Sequence, residues 1–173
     1  MMSRFAACWL AELLPAVAGA VDLAVDLRWE QRDLPPAMKI YLPSSQRPAP
    51  LWETASRPKS EPLPVGAEIS DSRLKLQPGH RKRFVLVYQN PSEKPLYFFA
   101  APHQAQPQEH ALGFHLKCLC VSEAFKVGAG ETWYRVVELQ ILKGFEGDTL
   151  TLTHTLIGID AARAAHFGRK RAD

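Results

Sequence analysis

Cysteine is scarce in this chain. Three occur among 173 residues, at positions 8, 118 and 120. That excludes a disulfide framework, which needs several bridges over longer spacings. Long apolar runs are also missing. The best candidate, Phe5 to Leu14, is interrupted by Glu12, ends at Pro15 and is short of the roughly 20 residues that span a bilayer. Neither sign of charge dominates: 21 Lys and Arg stand against 18 Asp and Glu, a net charge of +3. The basic clusters Arg81-Lys82-Arg83 and Arg169-Lys170-Arg171 are not interleaved with aromatics, so no nucleic-acid surface is expected. Gly-x-Ser-x-Gly, a glycine-rich phosphate loop and His-Glu-x-x-His are all absent from the sequence, and the acids are scattered. The chain is therefore not expected to be an enzyme.

What is present reads mainly as β-structure. Val21 to Trp29 alternates, with Val21, Leu23, Val25, Leu27 and Trp29 on one face, the period of a half-buried strand. Met38 to Leu42 reads as a second short strand. Six prolines at 43, 48, 50, 58, 62 and 64 predict an extended loop over 43–64, because proline cannot donate to a ladder. Arg73 to Gln77, Arg83 to Gln89, Leu96 to Ala100, Gly113 to Val121, Thr132 to Ile141 and Thr149 to Ile159 follow as strands, separated by Pro, Gly and Asn turns. On the last, Leu150, Leu152, His154 and Leu156 share one face. Only Ala161 to Phe167 looks helical. Many short strands with almost no helix imply an immunoglobulin-like antiparallel β-sandwich over 21–160, with a basic tail over 161–173.

The first 20 residues read as an address. Met1-Met-Ser-Arg4 is a positive start, the apolar stretch follows, and Ala18-Gly19-Ala20 fits a small-x-small cleavage site. A secretory signal peptide or short anchor is expected, and with it a periplasmic location or the periplasmic face of the inner membrane. Cleavage after Ala20 removes Cys8 and leaves Cys118 and Cys120 as the only cysteines.

Those two form Cys118-Leu119-Cys120. On a strand, residues i and i+2 point the same way, with Cα atoms about 6.6 Å apart, near the upper limit for a disulfide. Two parallel thiols that do not pair easily suit one soft metal ion: Cu(I), zinc or an iron–sulfur cluster. An inert pair of core cysteines or a thiol–disulfide exchange site are the alternatives. The same phase puts Cys118 and Cys120 with Leu116, and His115 with Lys117 on the opposite, solvent-facing side. His103 and His110 precede the strand and could fold over the thiols. Glu123 and Glu131 lie near the pair in sequence. His80, His154 and His166 read as surface or satisfied core histidines.

The segments Asn90-Pro-Ser-Glu-Lys-Pro95, Ala101-Pro102, Pro107, Phe114, Cys118-Leu-Cys120, Gly130-Glu131 and Thr149-Leu-Thr-Leu-Thr153 stand in an order that resembles the CtaG-type copper-insertion factors of cytochrome c oxidase. Leu119 and Val121 replace that family's phenylalanines beside the cysteines. The resemblance implies an immunoglobulin-like fold and Cu(I) held by Cys118 and Cys120. It also implies a copper chaperone whose partner is a membrane haem–copper oxidase subunit, with a homodimer formed through the copper site. A periplasmic thiol–disulfide exchange factor and a non-metal β-sandwich interaction module are the competing functions.

Overall fold

A computed structural model describes residues 22–120 and 123–167. The expected signal peptide, Cys8, Val121 and the basic end of the tail lie outside the described residues. The described residues form twelve strands. They are β1 (Leu23–Arg32), β2 (Met38–Pro43), β3 (Thr54–Arg57), β4 (Val65–Glu68), β5 (Arg73–Leu76) and β6 (Arg81–Gln89). Then come β7 (Leu96–Ala100), β8 (Gln104–Gln106), β9 (Phe114–Lys117), β10 (Phe125–Val127), β11 (Thr132–Ile141) and β12 (Thr149–Ile159). A 3-10 turn covers Gln108–Leu112, and one short helix, α1 (Ala161–Ala164), follows β12. Its cap is Asp160, whose side chain accepts from the backbone N–H of Arg163 at 2.7 Å, filling one orphan donor of the first turn.

The strands form two sheets, and the all-β sandwich expected from the alternating segments is the architecture observed. One sheet runs β10-β7-β12-β1-β5, with β8 also on β12; the other runs β3-β11-β6-β2-β4, with β9 also on β11. Pairing is antiparallel except between β1 and β12, which run parallel with Val25 beside Leu150 and Gln31 beside Leu156. The alternating faces of β1 and β12 bury Leu23, Val25, Leu27, Leu150, Leu152, His154 and Leu156. Phe98, Phe125 and Trp133 cluster between the sheets with ring centroids 5.1–5.3 Å apart. Burying side chains of this kind contributes roughly 1.5–3 kcal/mol each. No helix among the described residues is long and apolar enough to cross a membrane.

The proline-rich stretch departs from the expected loop. It contains β3, which pairs with β11 from Thr132↔Arg57 to Arg135↔Thr54. Ala49, Ala55 and Leu63 pack with Val85, Val87, Tyr134 and Val136 on the outer face of the second sheet. That cover explains why the middle of β6 and most of β11 are buried on both faces and read as near-continuous apolar runs. Short β8 and β10 went unread because three residues are too few for alternation to register.

The turn after β6 is built on Asn90, which is fully buried. Its Nδ2 donates to the carbonyls of Lys94 and Gly128 at 2.8 Å each, and its Oδ1 accepts from the N–H of Ser92 at 2.9 Å. The Asn-Pro-Ser segment is thus a side-chain-organised turn that fastens the start of β7 to the end of β10.

Candidate metal centre

The structure corrects the strand reading of the cysteines. β9 ends at Lys117, and the chain bends through Cys118 and Leu119. The reason lies on the edge of β11. There β9 pairs from Ile141↔Phe114 to Glu138↔Lys117, so the next backbone partner for Leu119 would be Val136. That position is taken. The N–H of Trp52 donates to the Val136 carbonyl, and the N–H of Val136 donates to the Glu53 carbonyl, each at 2.9 Å. With no edge to follow, the chain turns inward. Cys118 and Leu119, both 5 % exposed or less, enter the core one after the other, which strict alternation forbids, and Cys120 emerges at the surface.

The bend brings the two thiols together by a route other than the shared strand face. Their Sγ atoms lie 3.5 Å apart. Arg135, itself buried, donates from Nε to the Cys118 carbonyl at 3.0 Å and stacks its guanidinium over Phe125 at 5.2 Å. Among the described residues it forms no ion pair, so its charge faces the cysteine bend uncompensated by a bonded carboxylate.

The third member comes from the opposite sheet. β7 and β8 both pair with β12, at Leu156–Ile159 and Thr151–Thr153, and the link between them crosses beside Thr155, whose carbonyl accepts from the N–H of Ala101 at 2.9 Å. This link carries His103 to the thiols, its Nδ1 3.5 Å from Cys120 Sγ. One donor atom each from His103, Cys118 and Cys120 fits within 4.8 Å of the others. The group thus bridges the two sheets at one edge of the sandwich.

The electrostatics divide the thiols into unlike partners. The Cys120 pKa is lowered to about 4, first by the hydrogen bond from Cys118 and then by that from His103. The Cys118 pKa is pushed up, by its hydrogen bond to Cys120, by burial and by the negative charge of its neighbour. One proton is therefore held on Cys118 and shared toward a Cys120 thiolate. A thiolate is the form of cysteine that acts as nucleophile or metal ligand, so Cys120 is ready for either role, and Cys118 would have to give up its proton to serve as a ligand.

The remaining candidates separate cleanly. His110 sits in the 3-10 turn against Phe145, ring centroids 4.7 Å apart, and outside the donor group. His115 is exposed, on the solvent side as its phase predicts. Lys117 Nζ is tied to Glu138 at 3.3 Å, and Glu131 accepts from Ser56 at 2.6 Å. Glu123 is exposed. Arg135 was not singled out, and His154, expected as a surface or satisfied core histidine, is neither. Arg135 is a charge inside the apolar run of β11, a signal the sequence does contain. His154 is buried but unsatisfied: neither ring nitrogen has a hydrogen-bond partner.

Residues 23–159 match the family model described as Domain of unknown function (DUF8709). The chain belongs to the DUF8709 family. The match runs from the start of β1 to the end of β12 and so takes in Cys118, Cys120, His103, Arg135 and His154 together. No curated protein matches the chain.

Proposed function

We propose that this DUF8709 domain is an exported copper carrier that holds Cu(I) on Cys118 and Cys120, with His103 as a third donor. Its client is a membrane haem–copper oxidase. The observation that carries the reading is the meeting of two soft sulfurs and one imidazole, with Cys118 buried and Cys120 exposed. Thiolate ligands select Cu(I), which accepts a low coordination number. Two thiolates and one Cu(I) leave a net charge of −1, and the buried Arg135 guanidinium beside Cys118 offsets it. Cys120, at the surface, gives an acceptor's ligands a point of attack, as delivery requires. An all-sulfur site was expected from the strand phase; the position of His103 favours the mixed set. A homodimer through the exposed Cys120 side accords with the same reading.

A second reading, thiol–disulfide exchange, is favoured by the lowered pKa of Cys120 beside a thiol at 3.5 Å. One experiment separates the two. The reduced protein is titrated anaerobically with Cu(I) against a competing chelator, alongside Cys118→Ser and Cys120→Ser. The carrier holds about one Cu(I) per chain, and either serine variant, folded by circular dichroism, loses it, because serine lacks a soft donor. An exchange factor yields its copper to the chelator and equilibrates with glutathione buffers instead. Serine variants that bind as tightly as wild type refute the carrier.

A further inference from the structure

His154 lies outside the set of donor atoms that fall within 4.8 Å of one another and touches it through the His103 ring, so it would join an ion there by a shift of its side chain. It projects from β12 between the core residues Leu152 and Leu156, is 1 % exposed, and has both ring nitrogens without a hydrogen-bond partner. A buried polar group left in this state costs about 1–3 kcal/mol, and natural folds rarely leave one unexplained. Its ring stacks on Trp29 at 5.0 Å on one side and meets the His103 ring at 5.4 Å on another. The unpartnered imidazole therefore adjoins a residue of the donor group.

The distances within that group carry a second message. With metal–sulfur bonds of about 2.3 Å and metal–nitrogen bonds of about 2.05 Å, a tetrahedral ion sets its sulfurs about 3.8 Å apart and sulfur and nitrogen about 3.6 Å apart. A planar three-coordinate ion would need about 4.0 and 3.8 Å, and a linear pair of thiolates about 4.6 Å. The observed spacings are 3.5 Å for Cys118 to Cys120 and 3.5 Å for Cys120 to His103. Both are hydrogen-bond contacts of the metal-free site and fall just inside the tetrahedral edges, so a four-donor ion asks for the smallest spreading of these donors.

We propose that His154 is the fourth donor and that the site also takes a tetrahedral divalent cation, Zn(II), on Cys118, Cys120, His103 and His154. This deepens the proposed function and rests on its three donors. Two thiolates and two imidazoles around Zn(II) make an electrically neutral set, of the kind that structural zinc sites use. Cu(I) is satisfied by the first three donors and leaves His154 aside. The domain then discriminates between two ions by how many donors each engages.

The test is a pair of competition titrations, with Zn(II) and with Cu(I), on reduced wild type and His154→Leu. Losing even an outer partner of a metal ligand typically costs 10–100-fold in affinity, so the loss of a ligand should weaken Zn(II) binding at least about tenfold. Cu(I) affinity should move by less than about threefold, since that ion does not need a fourth donor. In wild type, nitrogen-15 spectra of the histidine rings should show a ring nitrogen of His154 shifting on Zn(II) addition. That measurement decides the matter even where the leucine variant fails to fold. Unchanged Zn(II) affinity in a folded His154→Leu, or an unmoved His154 ring in Zn(II)-loaded wild type, overturns the fourth donor and leaves the copper carrier intact. Zn(II) held through His154 by a protein that loses Cu(I) to the chelator overturns the carrier and leaves the four-donor site standing.

Discussion

Arg135 Nε donates to the carbonyl of Cys118 at 3.0 Å, so a side chain from β11 fastens the backbone at the point where β9 has lost its pairing edge. The bond does what the missing ladder would have done. A hydrogen bond to a charged group is worth about 1.5–3 kcal/mol. Arg135→Met keeps the stem over Phe125, removes the bond and the charge, and should lower Cu(I) affinity roughly tenfold or more. Arg135→Lys restores the charge without the forked donor and should fall between. Chelator competition on variants with unchanged circular dichroism measures this. Wild-type affinity in Arg135→Met would show that the bend holds itself.

Thiol chemistry should be one-sided in the metal-free protein. The Cys120 pKa is lowered to about 4 and that of Cys118 is raised, and alkylating reagents attack thiolates. Iodoacetamide should therefore label Cys120 alone, at a rate nearly level from about pH 8 to about pH 5 and falling as pH approaches 4. An unperturbed cysteine, with a pKa of about 8.5, would slow steadily across the same range. Peptide mapping by mass spectrometry reads the site. Equal labelling of both cysteines in the folded protein would contradict the shared-proton arrangement.

Stability should respond to pH through His154. Burial lowers its pKa to about 4 in the folded protein, whereas an unfolded histidine titrates near 6.5. Above about pH 6.5 both states are neutral and the full contribution is present. As pH falls toward 4 the unfolded chain takes up a proton that the folded one refuses, so stability drops with falling pH. The loss by pH 4 is on the order of 3 kcal/mol. Urea unfolding of the metal-free protein from pH 7 to 4, compared with His154→Leu, isolates it because the other groups titrate in both. The difference between the two profiles should follow this slope; parallel profiles would place the imidazole in a solvated setting.

Much of the fold was legible because period-two alternation is a local property. Leu23, Val25 and Leu27 on β1, and Leu150 to Leu156 on β12, announce a buried face without reference to anything distant. Residue types marked Cys118 and Cys120 as candidate soft donors in the same local way. The parallel pairing of β1 with β12 was not legible, since neighbours in a sheet are chosen across more than a hundred residues. Nor was β3, whose Thr54–Arg57 becomes a strand only because the edge of β11 is open to it.

The site itself divides along this line. By itself the sequence marked two sulfurs one residue apart as candidate donors, left His103 and His110 undivided, and read His154 as a surface or satisfied core residue. Chemistry of that kind belongs to side chains and needs no partner to be read. The tertiary structure alone decided their meeting. Trp52 and Glu53 occupy the backbone of Val136, so β9 stops and the thiols converge through a bend rather than along a strand. The link between β7 and β8 then delivers His103, and not His110, from the opposite sheet. Which loop reaches which edge is settled by competition for hydrogen bonds between segments far apart in the chain, and no local pattern records that contest.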